Sequence, residues 1–375
     1  MGARNVRIDS VQKSFGNETV LRDITLEVES GAFCVVMGPS GCGKTTLLNC
    51  VAGLVDVERG QIQFDGRDVT DQPVAERDLG YVFQEFEDTL FPHKTVAENI
   101  AFGLRQQQSE VSEPEIEDRV DEMLALFNIE ATRGNTPGEL SGGQQQRVEL
   151  ARQLVCERDL LLLDDPLADL DYKLQKRMEI EIRRLHEDLG STFLYVTHNQ
   201  DQALKLADRL IVMNEGQIEQ IGSPAEVYNS PESAFVARFV GDSNALAASV
   251  RNADDRSVTV DTELGEITAE PRGPVTEETG VVLIRPKRIT IGDEAYDREN
   301  TIEMTYQGST YTGEVVEHAV LPDSLTREFL IDETDRDYGS DPGERVPVGW
   351  DAADAQYFET LSAADSVTVE DIIQT

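Results

Sequence analysis

Apolar and polar residues alternate through NVRIDSVQKSF and then run on, β-branched and apolar, through TLEVESGAFCVVMG, so residues 5–36 read as β-strands. GPSGCGKTTLLNCVAGL then reads as a Gly-rich turn feeding a helix. QIQFDGRDV predicts a hairpin strand and its turn, and LGYVFQ (79–84) a short buried strand. From about residue 95 to 155 the apolar positions move to spacings of three and four, in TVAENIAFGL and EPEIEDRVDEMLALFNI, which is the period of amphipathic helices. LVCERDLLLLDD returns to strand. KLQKRMEIEIRRLHEDLG is a charged amphipathic helix stopped by Gly190. STFLYVTHN is a strand, QDQALKLADRL a helix and IVMNEGQIEQIG a hairpin. Strands alternating with helices predict an α/β domain with a mostly parallel sheet, interrupted by a helical insertion.

The pattern changes after FVARFVGDSN (235–244). Short β-like runs such as SVTVD, VVLIRP, RITIGD and TIEMTYQGSTYTGEVVE alternate with turns, and long helices disappear. This predicts a small all-β domain, a barrel. The expected division is residues 1–240 for the α/β domain, with a helical subdomain at about 86–155, and residues 241–375 for the barrel.

Charge alters this picture more than any other bulk property. The 375 residues carry 33 Lys and Arg against 72 Asp and Glu, a net charge of −39. Phosphate neutralisation needs basic surface, so this balance argues against nucleic-acid binding as the main role. The acids are spread through apolar periodic segments, which indicates a folded acidic surface rather than disorder. Such a surface keeps a protein in solution at the cost of self-repulsion, as in halophiles, and a salt-loving source is expected. Residues 241–375 carry 30 acids and 10 bases, nearly twice the acidity per residue of the first segment. Within them DETDRDYGSDPGE (332–344) reads as a solvated loop. Cys34, Cys42, Cys50 and Cys156 form no CxxC pair and read as incidental thiols in a reducing compartment. No run approaches the ~20 apolar residues of a membrane span, and the N-terminus has no apolar signal core. A cytoplasmic protein that reaches a membrane only through a partner chain is the expectation.

The chemistry sits in a few stretches. GPSGCGKT fits G-x-x-x-x-G-K-[ST] between an apolar strand and a helix. Gly38, Gly41 and Gly43 let backbone N–H groups curl around phosphate oxygens, and the helix start adds its positive dipole end. Lys44 is expected on the β- and γ-phosphates and Thr45 on Mg²⁺, with Pro39, Ser40, Cys42 and Thr46 completing the nucleotide-binding turn. LLLLDD then delivers Asp164 from a buried strand as the second metal ligand. ELSGGQQQR (139–147) places Ser141, Gly142, Gly143 and Gln144 at another bare helix N-terminus suited to phosphate. Each has a bland alternative: a polar turn, a flexible SGG, a core strand.

Taken together these stretches resemble the ATP-binding subunit of ABC transporters, and the resemblance covers essentially the whole chain. LSGGQ matches the family signature. The resemblance implies that Gln84 in YVFQ helps position Mg²⁺ and water and senses the membrane subunit. It implies that Asp171, closing LADLD, is the D-loop aspartate, that His198 in VTHNQDQA meets the γ-phosphate, and that Phe15 in VQKSFG stacks on adenine. It implies a P-loop NTPase, RecA-like ATPase domain with a helical subdomain, followed by an OB-like barrel domain of the kind found in importers of polyamines, iron, sugars, molybdate and sulfate. The signature helix would close over ATP held by a second copy, head to tail, under a pair of permease subunits at the cytoplasmic face of the membrane. A solute-binding protein would serve the permease outside. An exporter ATPase, a non-transport ABC ATPase and a hydrolysis-impaired regulatory subunit are the competing readings.

Two departures from the family pattern matter. Where relatives carry the Glu that activates the attacking water, this chain has Asp165, whose stem is one methylene, roughly 1.3–1.5 Å, shorter. A misplacement of ~1 Å can cost about a hundredfold in rate, so ordinary and slow hydrolysis both stay open. The loop QEFEDTLFPH (84–93) is also about two residues longer than expected, by the resemblance, and is either a partner contact or an acidic surface insertion. The charge reading is checked by refolding at increasing KCl. Recovery of the native fold should rise with salt over the molar range, and full stability without salt would refute it.

Overall fold

A computed structural model describes residues 3–84, 89–106, 111–168, 170–254, 256–313, 315–334, 339–364 and 366–374. Residues 85–88 of the loop 84–93, Asp169, and 335–338 of the acidic loop therefore lie outside the described residues. The chain forms two compact units, Met1–Pro224 and Ala225–Thr375.

The first unit contains two sheets where the pattern suggests one. Strands β1 (Val6–Phe15), β2 (Glu18–Val28), β4 (Arg59–Phe64) and β5 (Arg67–Asp68) make an antiparallel sheet in the order β2-β1-β4-β5. Alternation with one face buried is the signature of such a sheet, and Val6, Ile8 and Val11 of β1 are fully buried. The second sheet holds β3 (Phe33–Met37), β6 (Gly80–Val82), β7 (Leu160–Asp164), β8 (Thr192–Thr197), β9 (Arg209–Asn214) and β10 (Gln217–Gly222), in the order β10-β9-β3-β8-β7-β6. All its pairings are parallel except the β9–β10 hairpin. Every residue of β3, β7 and β8 is buried, as expected of strands covered on both faces. What reads as one strand region over residues 5–36 is thus three strands in two sheets.

The helices match the periodic segments: α1 (Lys44–Ala52), α2 (Val96–Gln106), α3 (Glu113–Leu126), α4 (Gly142–Leu154), α5 (Tyr172–Leu189) and α6 (Gln200–Leu206). Gly190 ends α5 in the left-handed conformation, φ 62, as its position in the sequence implies. Arg77 is 2% exposed and donates to the carbonyls of Cys50 (2.9 Å), Val51 (2.8 Å), Thr70 (2.8 Å) and Gln72 (3.0 Å). Its charge lies at the carbonyl end of α1, where the helix dipole favours a cation.

In the second unit β11 (Asn244–Ala253), β12 (Val258–Thr262), β13 (Gly265–Pro271), β14 (Thr279–Ile284) and β20 (Ala355–Phe358) close a barrel. A five-stranded sheet accompanies it: β15 (Thr290–Ile291), β19 (Arg345–Trp350), β16 (Asn300–Tyr311), β17 (Val316–Leu321) and β18 (Phe329–Glu333), in that order. The two share one core containing Trp350, Tyr357, Phe329 and Val260. Short helices α7 (Pro224–Asn229) and α8 (Ala234–Phe239) precede the barrel, and α9 (Val369–Gln374) comes after it. Among the described residues no helix is long and apolar enough to cross a membrane.

One buried side chain of the first unit gives the fold a pH dependence. His186 of α5 packs edge-on between Phe33 (ring centroids 5.1 Å) and Phe193 (5.0 Å). Burial, and secondarily Arg183, hold its pKa below the ordinary 6.5, against the opposing pull of Asp208 and Glu187. The unfolded chain therefore takes up this proton at higher pH than the folded protein. Stability from the neutral ring is present above about 6.5 and is lost as pH falls through the folded value. Urea unfolding at pH 7.5 and pH 5 should show the parent losing more stability than His186→Phe. Equal losses in both proteins would refute the assignment.

Candidate nucleotide site

Three strand ends build the site. Parallel pairing sets Met37 of β3 beside Thr197 of β8, and Val196 of β8 beside Asp164 of β7. The chain leaving β3 must turn at once, and two glycines permit it. A Cβ on Gly38 would meet the Met213 carbonyl oxygen at 2.2 Å and Cys42 Sγ at 2.7 Å. Gly43 caps α1 at φ 103, and a Cβ there would meet Val20 O at 2.9 Å. Ser40 and Gly41 are exposed, while Pro39 and Thr46 are partly covered. Lys44 Nζ donates to the carbonyls of Gly38 (2.7 Å) and Pro39 (2.8 Å), so its ammonium lies within the turn that precedes it. Cys42 is 4% exposed, and burial raises its thiol above the ordinary range. It, Cys34 and Cys50 are buried thiols, and Cys156 is a partly buried one.

Thr45 Oγ1 donates to Asp164 Oδ1 across 3.1 Å, joining residues 119 apart in sequence. Asp164 is 3% exposed. Burial raises its pKa, and the neighbouring Asp165 adds to the rise, while Thr45 and Lys44 oppose it. A hydroxyl and a carboxylate set together at a helix N-terminus form a hard oxygen pair. Mg²⁺ takes such ligands one or two at a time, completing its shell with water and phosphate. The donor set fits that ion.

Asp165 turns away from Asp164 through a backbone at φ 45, the left-handed region that an L-residue adopts only when held there. Its N–H donates to Val196 O (2.9 Å), and Thr197 Oγ1 donates to its Oδ1 (3.2 Å). Its Oδ2 pairs with His198 Nδ1. Asp165 is 6% exposed, whereas the side chain of His198 is 64% exposed, so the imidazole forms the outer wall of the pair.

The other residues expected at a nucleotide site stand apart from this group. Gln84 is exposed just beyond β6, where the undescribed 85–88 begin. Phe15 ends β1 with 51% of its surface exposed and Lys13 Nζ 5.2 Å from its ring centroid, an open aromatic face rather than a core residue. Ser141 begins α4, and Gln144 Oε1 accepts from its N–H (2.9 Å) and its hydroxyl (3.1 Å). Gly142 faces open space, and Gly143 has only Leu170 near it. Asp171 caps α5, accepting from Leu174 N at 3.1 Å. The structure therefore brings together Gly38, Lys44, Thr45, Asp164, Asp165 and His198. Among the described residues no hydrogen bond or ion pair joins Phe15, Gln84, Ser141, Gln144 or Asp171 to that group.

Sequence reasoning misses two groups. Thr197 directly precedes His198 and reads only as the end of a strand. Glu149 of α4 is fully buried and ion-paired with Arg152, and it also accepts from Gln153 Nε2 (3.0 Å) and Thr89 Oγ1 (3.1 Å). Arg152 in turn donates to Thr89 O (2.7 Å) and lies over the Phe91 ring at 5.6 Å. The helix capped by Ser141 thus holds Thr89 and Phe91 of the loop 84–93. An acid flanked by the apolar Val148 and Leu150, with Arg three residues on, is the signal the sequence offers for it.

Comparison with known proteins extends these observations. The family model described as ABC transporter matches residues 21–168, and a TOBE domain model matches residues 282–358. The spermidine/putrescine import ATP-binding protein PotA of Vibrio cholerae is 40% identical over 356 residues, covering 93% of each chain. PotA proteins of Vibrio vulnificus (39%, covering 92% of each) and Haemophilus influenzae (38%, covering 92% of this chain and 94% of the relative) are similar over the same extent. Among solved structures, the ATP-binding cassette MJ0796, in a dimeric post-hydrolysis state bound to ADP and Pi, matches at TM-score 0.54 and 30% identity. The match covers 58% of this chain and 98% of that one.

Removing one partner of a buried ion pair strands the other, at about 3–5 kcal/mol. Glu149→Ala should therefore destabilise the protein by that order in denaturant unfolding, and Glu149→Ala with Arg152→Met should recover much of it. A single variant as stable as the parent would refute the pair's importance.

Proposed function

This chain belongs to the family of ABC transporter ATP-binding subunits, and from that premise we propose that it energises the import of a polyamine through a membrane permease. It is an ATPase that binds ATP, works as one half of a dimeric cassette and is peripheral to the membrane. The observation that carries the site reading is the Thr45–Asp164 contact, which sets the P-loop hydroxyl against the acid ending a buried strand. On this reading the N–H groups from Gly38 to Thr46, with Pro39, Ser40, Gly41, Cys42 and Gly43 shaping the turn, cradle the phosphates. Lys44 leaves the Gly38 and Pro39 carbonyls to reach the β- and γ-phosphates. Thr45 and Asp164, joined by Gln84 once it moves in from β6, would hold Mg²⁺, which would neutralise charge on the transferring phosphoryl group. Asp165 takes the proton of the attacking water, and His198 orients Asp165 and meets the γ-phosphate. Phe15 offers its exposed face to adenine.

Ser141, Gly142, Gly143 and Gln144 serve the nucleotide of a second copy, with Asp171 at the same junction. The exposure of Ser141, Gly142 and Asp171, and the absence among the described residues of any hydrogen bond or ion pair from this group to the chain's own P-loop, support this arrangement, a head-to-tail homodimer in which two ATP molecules are enclosed. Phosphate charge closes such an interface and hydrolysis releases it. The subunit would lie on the cytoplasmic face under permease subunits served by an external solute-binding protein. The relatives named for spermidine and putrescine import match the β-rich second unit as well as the ATPase unit, and this favours a polyamine over iron, molybdate, sulfate or sugar.

Deletion of the gene, with uptake assays for labelled putrescine, spermidine, ferric iron, molybdate, sulfate and maltose, tests the proposal. Loss of polyamine uptake alone is expected, restored by the parent gene and not by Lys44→Ala. Loss of a different solute would reassign the cargo. Unchanged uptake of all of them, with the protein associating with ribosomes or DNA, would overturn the transport reading.

A further inference from the structure

We propose that Thr197, backed by Asn199, is the positioning device that makes the short Asp165 side chain competent for hydrolysis. The proposal rests on the reading of Asp165 as general base. Its basis is that three consecutive residues hold this one aspartate. Val196 accepts from its backbone N–H (2.9 Å), Thr197 donates to Oδ1 (3.2 Å) and His198 pairs with Oδ2. Because the three belong to the end of β8 and its exit, one rigid segment fixes the main chain, the inner oxygen and the outer oxygen together. Without the inner contact, the carboxylate would keep the His198 pair but could rotate about it.

Thr197 is itself held from behind. It is completely buried, and its hydroxyl has one proton and two acceptors in reach, Asp165 Oδ1 at 3.2 Å and Gln202 Oε1 at 3.1 Å. An ionised carboxylate outcompetes a neutral amide oxygen for that proton. Gln202 Oε1 already accepts from the hydroxyl of Tyr195 (3.0 Å), and Gln202 and Tyr195 are 1% and 0% exposed, so no water competes. The N–H of Asn199 donates to Thr197 Oγ1 (3.1 Å) and occupies the hydroxyl's accepting side. The Asn199 side chain also caps α6, accepting from Gln202 N (3.1 Å), so the same residue sets the helix that carries Gln202. The hydroxyl is thereby aimed at Asp165. None of these partners needs to touch the nucleotide, so Thr197 is a positioning residue rather than a catalytic one.

A double-mutant cycle on the full-length protein tests this, with Mg-ATP turnover as the readout and thermal melting as the check on folding. Thr197→Val keeps the branched shape and deletes the hydroxyl. A hydrogen bond to a charged group controls the rate by roughly tenfold or more, so kcat should fall by about that factor with KM for ATP unchanged. Thr197→Ser should recover most of the rate. In an Asp165→Asn background Thr197→Val should cost nothing further, because the group it positions is gone. If Asp165→Asn itself turns over at the parent rate, the general-base reading fails. If Asp165→Asn is slow while Thr197→Val matches the parent, the positioning proposal fails. A Thr197→Val penalty that persists undiminished in the Asp165→Asn background also overturns it. Should Thr197→Val not fold, Thr197→Ala, which deletes the same hydroxyl without placing a methyl against the carboxylate, carries the same cycle, with the same outcomes deciding.

Discussion

The site depends on the parallel pairing of β3, β8 and β7. Their register sets Met37 beside Thr197 and Val196 beside Asp164, so three strands that are remote in sequence stop almost level. Parallel strands cannot be joined by hairpins, so each must leave by a turn and return through a crossover. The segments leaving the three strand ends are therefore forced to the same edge: the Gly-rich turn after β3, an acidic pair at the end of β7 and the His198 turn after β8. The edge exists because the strands are buried on both faces. The apolar runs CVVM, LLLL and TFLYV thus place the chemistry without taking part in it.

That edge creates an electrostatic difficulty, and the backbone resolves it. Two adjacent carboxylates in a water-poor place repel one another and resist ionisation. Asp164 feels this, with burial and its neighbour both raising its pKa. An extended strand would point successive side chains to opposite faces, leaving one of the two acids in the core. The left-handed φ of 45 at Asp165 breaks the alternation. Asp164 can then face Thr45 while Asp165 faces Thr197 and His198. The conformation is unfavourable for an L-residue, and the bond from its N–H to Val196 O holds it there.

Much of this is legible in the sequence. Periodicity locates the helices α2 to α6, Gly190 marks the end of α5, and the Gly-Lys-Thr stretch marks the turn into α1, because these are local features; the short α7, α8 and α9 are not foreseen. The separate antiparallel sheet is not legible, since β1 and β2 look alike whichever sheet they join. The second β-sheet beside the barrel is hidden for the same reason. At the site, Asp164, Asp165 and His198 are visible by motif, but Thr197 is not, because a threonine ending a strand is ordinary until its hydroxyl is seen against a carboxylate. Glu149 is hidden by its helix: only packing reveals that a charged residue among Val148, Leu150 and Ala151 faces inward toward Arg152 and Thr89.

Stem length alone does not decide how well the aspartate is placed. A shorter side chain reaches less far, but it also has one rotatable bond fewer to immobilise, and restricting a rotor costs entropy. Accurate placement, not reach by itself, governs how well a general base meets its water. Here one carboxylate is met by a buried hydroxyl on one oxygen and an imidazole on the other, from a backbone pinned to the same strand end. A longer acid on this backbone would have to bend or give up the Thr197 contact. On the proposed reading of Asp165 as the general base, the site is shaped around aspartate, with the support drawn inward rather than the base extended outward.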